Sequence, residues 1–413
     1  MNAIAPAFGC TAEGMPFAEA LDRVLSLASP PLVHESATLA ACVGRILAVD
    51  ICARLDLPGF NQSAMDGYAV RSDDLSPGAW LPLTGRTAAG ETPDRLARGG
   101  AHRILTGAPL PYGADAVIMQ ERVQKRGEMI HIGAVPPPGT NIRRRGEDIA
   151  AGQPLMRAGT RLDWQHIAVL AAQGVDDVVV RRRPVVVLLS SGRELRAPGA
   201  GLAAGQIHDS NLPMLAALLQ ACGAEIRPMP VVADNATAMR DALRAAANGA
   251  DLVLTTAGIS VGDEDHVRCA LHDLGGDLSV LKVAMKPGKP LAAGRLGSAL
   301  FIGLPGNPQA ALAGALAFIR PLLARMSGSE APATLRVQAD FSLNRTPGRT
   351  EFMPVRLHQH GASLRAERAG PDGSGRLAPL LHAHGLAQIS ADTTDIAPGA
   401  LLDVLPFFPG ALA

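Results

Sequence analysis

Apolar residues recur at Phe17, Ala20, Leu21, Val24 and Leu25, the spacing of one helical face, so a helix is expected from Pro16 to about Ala28. The stretch from Leu39 to Val49 reads as a second helical piece. From about 51 to 145 the texture changes. Short apolar runs (RILTGAPL, ADAVIMQE, EMIHIG) alternate with Gly/Pro clusters (LPGF, AAGETP, AVPPPGTN), which predicts a small β-rich module. Residues 146–180 are mixed, and DWQHIAVLAAQG predicts a helix stopped by Gly174. From 184 to about 327 the pattern is regular. Strand-like PVVVLLS, AEIRPMPVV, DLVLTT, LSVLKVA, LAAGRL and ALFIGLP are interleaved with helix-like LPMLAALLQACG, TAMRDALRAAANG and DHVRCALHDLGG, and NPQAALAGALAFIRPLLARM closes the block. Strands alternating with helices predict βαβ units and a mostly parallel sheet. Beyond 328, short segments (TLRVQADFSL, TEFMPVRLH, GLAQIS, ALLDVLPF) predict a separate small all-β domain.

Composition narrows the class. The 413 residues are 47% hydrophobic, enough for several cores and incompatible with a mainly disordered chain. Lys+Arg and Asp+Glu are both 38, so the net charge is zero, which argues against a general nucleic-acid binder. No apolar run reaches the roughly 20 residues of a membrane span. The start MNAIAPAFGC lacks a basic n-region, so no secretory signal is expected. Five scattered cysteines (Cys10, Cys42, Cys52, Cys222, Cys269) without a C-x-x-C pair read as reduced thiols in a cytoplasmic protein. Only four of the 38 basic residues are lysine, and three of these, Lys282, Lys286 and Lys289, fall within LKVAMKPGKP. A chain this biased to arginine keeps lysine where a compact point charge is needed, or else the clustering is an ordinary surface turn.

In a parallel α/β sheet, ligands bind outside the carboxyl ends of the strands. The loops expected there are SSGRELRAPG, VADNAT, TAGISVGDEDH, KPGKP and GLPGNP. Their glycines, hydroxyls and lysines suit a phosphorylated anion: glycines admit backbone N–H groups, helix N-termini add positive charge, and lysine neutralises the rest. Each loop has a plainer reading as well. Asp263 or Asp265 could cap a helix, LPGNP could be turn chemistry, and Glu194, Asp209, Asp234 and Asp265 could be solvated. Together, carboxylates beside a phosphate site imply a hard divalent cation, Mg²⁺ foremost. Arg143–Arg145 and Arg181–Arg183 read as solvated runs, and His382 with His384 lack the further ligands of a metal site. The absence of a G-x-S-x-G elbow leaves acyl-transfer hydrolysis without support.

The strings PGFNQSAMDGYAVR, ILTGAPLPYGADAVIMQE, NIRRRGEDI, GISVGDEDH, KPGKP, GLPGNP and TPGR resemble the molybdopterin molybdenumtransferase family, also found as the E domain of gephyrin, over about residues 15–410. The resemblance implies a multidomain α/β and β protein. Its parts are a discontinuous N-terminal linker domain (1–50 plus 146–180), a β-rich domain (51–145), a central three-layer α/β domain (181–327) and a small C-terminal β domain (328–413). It implies a homodimer whose site lies between subunits, and Mg²⁺-dependent transfer of molybdate onto the dithiolene of adenylylated molybdopterin with release of AMP. Matched by motif, Asp66, Thr106, Glu194, Asp234 and Asp265 are its catalytic positions, the last three as metal ligands. Lys286, Lys289, Ser260, Gly258, Pro305, Pro308, Arg349 and Ser374 are its substrate positions. The implied partners are molybdopterin adenylyltransferase and downstream molybdoenzyme chaperones, with no nucleic acid and no membrane.

The sequence departs from the family at three places. T-G-D-E-L becomes Ser191-Gly192-Arg193-Glu194-Leu195, G-x-Q-G-S becomes GPDGSGR, and G-G-x-S-V-G begins at Ala257. Arg193 changes two charge units beside the implied metal. A non-catalytic molybdopterin carrier and an adenylyltransferase remain as alternative readings.

Overall fold

The computed structural model describes residues 14–28, 33–256, 266–330 and 332–407. Its centre is a six-stranded sheet of β1 (Val185–Ser190), β2 (Glu225–Pro228), β3 (Leu252–Thr256), β4 (Asp277–Lys282), β5 (Pro290–Leu296) and β6 (Ala299–Leu304), ordered β2-β1-β3-β6-β5-β4. The first four strands in that order are parallel, whereas β5 and β4 are antiparallel additions. The expected mostly parallel sheet therefore holds up to β6. The two residues Gly297 and Ser298 are too few for a crossover helix, so they force a hairpin, with Gly297 at φ 62.

The all-apolar run of β1 is explained by cover on both faces. Val186 and Leu188 pack with helices α3 (Asn211–Ala221) and α6 (Pro308–Ser327). Val187 and Leu189 pack with α4 (Ala236–Ala247) and α5 (His266–Asp273). This is the three-layer arrangement. By length and mean hydropathy (1.3 over its 18-residue window) α6 could cross a membrane, which the sequence reading overlooked. That window is 78% buried within the protein, so α6 is a core helix. Its middle, Ala315–Ile319, widens into π-helical turns just before Pro321, whose ring cannot fit a regular ladder.

Helix α1 (Phe17–Ser26) follows the expected stripe, burying Ala20 and Val24. Its packing partner is the α/β core. Phe17 meets Phe318 and Phe352 edge-to-face at 5.3 Å each. The second helix expected from Leu39 to Val49 is not formed. His34–Thr38 is a strand paired antiparallel with Asp177–Arg181, followed by a single 3-10 turn at Leu39–Ala41. Cys42, Leu47, Met156, Leu162, Leu170 and Val180 share one small core, so two distant chain segments build one unit. Within it, α2 (Trp164–Ala172) is capped reciprocally by Asp163 and His166 and ends before Gly174 at φ 67.

The β-rich region is a sheet in the order 116–119, 67–70, 101–104, 80–87, 129–132, 123–126, cored by Tyr68, Val70, Ile118, Ile130 and Ile132. In the C-terminal region, Thr350–His360 pairs with both Ser363–Arg368 and Gly385–Ile389, closing five strands into a barrel. A short strand, Met285–Lys286, joins this barrel in parallel register, Lys286 opposite Glu351. That pairing ties the central domain to the barrel and positions the site.

Candidate functional site

Strands β4 and β6 run the same way, so the β4–β5 connection and the loop after β6 emerge at one edge, the carboxyl edge of the parallel strands. KPGKP forms the first and LPGNP the second. They face the barrel across a cavity of about 440 Å³ lined by Lys286, Lys289, Pro305, Arg349 and Ser374 among others. Pro308 begins α6 beside it. Five substrate positions expected from the sequence thus converge, although they span 286 to 374 along the chain.

A buried carboxylate organises the corner. Glu351 is 8% exposed. Its Oε1 accepts from Lys286 Nζ at 2.8 Å, and its Oε2 lies 3.3 Å from Arg345 Nε. Arg345 is held in turn by donating to the Ser390 and Thr393 carbonyls at 2.8 Å. Lys286 therefore stands in a fixed place with its side chain still 48% exposed. Lys289 and Arg349 are exposed and make no ion pair among the described residues. Between the lysines, Gly288 takes φ +105, a conformation that side chains resist. On the opposite wall Asn307 donates to Ser374 Oγ at 3.1 Å, and Gln309 N donates to the Ser374 carbonyl at 3.0 Å. The result is a cationic pocket with a hydroxyl, at the start of a helix. Chemically it suits a phosphate or phosphoanhydride. Glu351, Arg345, Asn307 and Gln309 escaped sequence reasoning. Only Asn307 carried a local signal, inside LPGNP.

A second group lies at the ends of β1 and β2. Glu194 folds over Gly192: a Cβ there would lie 2.7 Å from Glu194 Oε2. Arg193 Nε lies 3.4 Å from Asp234 Oδ2. Neither Glu194 nor Asp234 lines the lysine cavity. Adjacent strands lie ~4.8 Å apart, so β1 and β6, two steps apart, set their loops about 10 Å apart. Asp209 is not a solvated loop acid: it is 4% exposed, and its Oδ1 caps α3 through Asn211 N and Leu212 N. Asn211 then donates to the Gly306 carbonyl at 2.6 Å, tying this cap to the LPGNP turn. Among the described residues no three acidic, histidine or cysteine side chains converge as a metal site. Asp234 faces Arg193, whose side chain is exposed. Gly258, Ser260 and Asp265 lie outside the described residues.

A third group is Asp66 with Thr106. Gly67 pairs antiparallel with Ile104, so the residue before one strand meets the residues after the other. Asp66 Oδ1 accepts from Thr106 N at 2.7 Å and Thr106 Oγ1 at 2.8 Å. The backbone N–H bond first, and the hydroxyl bond next, hold the Asp66 carboxyl below its usual range. Both residues are exposed and lie outside the lysine cavity. The basic run between these regions is tied down by Arg145, which donates to Asp56 at 2.6 Å.

Family models match three consecutive stretches: the MoeA N-terminal region (domain I and II) at residues 15–174, a probable molybdopterin binding domain at 188–325, and the MoeA C-terminal region (domain IV) at 336–407. A molybdopterin molybdenumtransferase of Haemophilus influenzae is 33% identical, covering 94% of this chain and 98% of that protein. One from Nostoc sp. is 35% identical, covering 88% of this chain and 87% of that protein. The crystal structure of a molybdopterin biosynthesis moeA protein from Pyrococcus horikosii superposes with TM-score 0.82 at 31% identity, covering 96% of this chain and all of that one.

Proposed function

The chain belongs to the molybdopterin molybdenumtransferase family, and from that premise we propose that it inserts molybdenum from molybdate into adenylylated molybdopterin, releasing AMP. The observation that carries this reading is the convergence of Lys286, Lys289, Arg349 and Ser374 on one cavity, with Lys286 braced by buried Glu351. Lys286 and Lys289 hold the phosphoanhydride and stabilise charge on the departing phosphate. Such charge stabilisation acts most strongly when its donors are fixed beforehand, which is the part played by Glu351. The Ser374 hydroxyl, oriented by Asn307, and Arg349 take further oxygens.

Asp66 and Thr106 act in this reading from a second copy of the chain, completing the molybdate and pterin side in a homodimer. Their exposure and their place outside the cavity support that assignment. The four-domain division is part of the same reading: the shared core of 37–51 and 155–180 supports a discontinuous linker, while α1, on the α/β core, stands apart from it. Glu194 and Asp234 are the described acids that would hold the Mg²⁺ the family resemblance implies, Asp234 on leaving its solvent-exposed contact with Arg193. Lysine and arginine supply positive charge for AMP release. Four described cysteines are free thiols, in keeping with a cytoplasmic enzyme.

The test is incubation with adenylylated molybdopterin, with and without molybdate. Molybdate-dependent AMP release is expected. Ligand binding without AMP release would make the protein a carrier, and consumption of ATP with free molybdopterin would make it an adenylyltransferase.

A further inference from the structure

We propose a second anion-binding site, for a phosphate-bearing small molecule, in the arginine-lined cavity between the linker unit, the end of α6 and the barrel. This cavity has a volume of about 1020 Å³ and shares no lining residue with the lysine cavity. Its walls come from three parts of the fold: the 155–161 turn with the exit of the linker sheet at 181–184, the C-terminal ends of α3 and α6, and Pro406–Phe407 of the barrel. Seven arginines line it, against the single acid Glu330. The chain as a whole is neutral, so this is a local concentration of charge.

The compensation is incomplete. Arg45 is paired with Glu35, and Arg182 is paired bidentately with Asp251 at 2.8 and 2.9 Å. Arg157, Arg161, Arg183 and Arg320 make no ion pair among the described residues. Exposed Glu330 offsets one charge. The carbonyl ends of α3 and α6 offset about one more, at roughly half a charge each. The lining keeps an excess of positive charge, the sign that suits a phosphate-bearing anion. Guanidinium does not shed its proton in proteins, so an anion entering the cavity meets three exposed charges, Arg157, Arg161 and Arg183, and one buried charge, Arg320.

The site is also built rather than incidental. Arg320 is 8% exposed, and its Nη1 donates to the Pro406 carbonyl while its buried Nε has no hydrogen-bond partner among the described residues. Burial pulls its pKa below the usual value, a cost that a bound anion would offset. His166 lines the same cavity. Its Nδ1 accepts from Asp163 N at 2.9 Å, which leaves Nε2 as the ring nitrogen that donates. Guanidinium forks match phosphate oxygens in pairs. The volume admits a molecule of nucleotide size.

The test is calorimetric titration of the full chain with pyrophosphate in one arm and AMP in another, in a chloride background, using wild type, Arg157→Ala/Arg183→Ala, Lys289→Ala and the three substitutions combined. Both arginines are exposed and make no described ion pair, so the double variant should fold, with its melting temperature as the check. Because the lysine cavity also takes phosphate, the site is read in the Lys289→Ala background: saturable binding survives there and weakens at least ten-fold when Arg157→Ala/Arg183→Ala is added. If pyrophosphate alone shows this, the site reads bare phosphate; if AMP also does, it admits a nucleotide. Either result supports the proposal. Unchanged affinity on adding Arg157→Ala/Arg183→Ala to Lys289→Ala, loss of all binding in Lys289→Ala, or no saturation at millimolar anion would overturn it. So would a double variant that merely dissociates a dimer, since the cavity would then be filled by a second copy.

Discussion

The two acidic groups at the carboxyl edge of the sheet are arranged in opposite ways. Glu351 is buried between Lys286 and Arg345, and its partners have fixed positions. Asp234 meets Arg193 in a pair whose arginine side chain is 74% exposed. The difference lies in desolvation. A carboxylate out of water needs both cations, so the first group is rigid and presents Lys286 ready for a ligand. A solvated pair gains little from contact and rearranges at small cost. On this view the lysine corner is a preorganised anion site, and the Glu194 loop adapts to whatever binds.

The sharpest way to break that contrast is to remove the buried carboxylate. Glu351→Ala leaves Lys286 and Arg345 facing each other uncompensated and should cost about 3 kcal/mol or more of stability. Chemical denaturation measures it, and a cost below about 1 kcal/mol would place the corner in the same class as the Arg193 pair. Next in size, Lys286→Ala should weaken binding of the adenylylated substrate ten- to a hundred-fold, about 1.4–2.7 kcal/mol. The loss should appear in kcat/KM, together with a fall in melting temperature because Glu351 keeps only Arg345 beside it. Arg193→Ala should change stability by about 0–1 kcal/mol, because the pair is solvent-screened. A larger loss on denaturation would mean that the loop is as rigid as the lysine corner.

The smallest effect belongs to Asp66. Its carboxyl is held below the ordinary value of about 3.9 by Thr106. Its contribution to stability is therefore present above that pH and is lost as pH falls through the lowered folded value. Thr106→Val removes the hydroxyl donor and leaves the N–H bond, so NMR titration should find the Asp66 pKa raised part of the way back. No rise would mean that the hydroxyl bond contributes nothing.

Much of this was legible in the sequence, and what was not has a common cause. Alternation and capping are local, so the strands and helices from 184 to 327 follow their patterns, as do the turn glycines. The rarity of lysine singles out Lys286 and Lys289 from the sequence alone. Glu351 was hidden because its role depends on parallel pairing of 285–286 with 350–351, a contact across 65 positions. The strand His34–Thr38 was hidden for the same reason. HESAT carries no alternating apolar face and is a strand only because Asp177–Arg181 lies beside it. Helix α6 is as long and apolar as a membrane span, and only the packing of α1, α3 and the sheet around it shows why.

The most direct measurement is the molybdate-dependent rate of AMP release by Lys286→Ala/Lys289→Ala beside wild type, at matched folded protein. A drop in kcat/KM of a hundred-fold or more is expected, about 2.7 kcal/mol of transition-state stabilisation. A double variant that releases AMP at the wild-type rate would contradict the assignment of this cavity as the place where the phosphoanhydride is held.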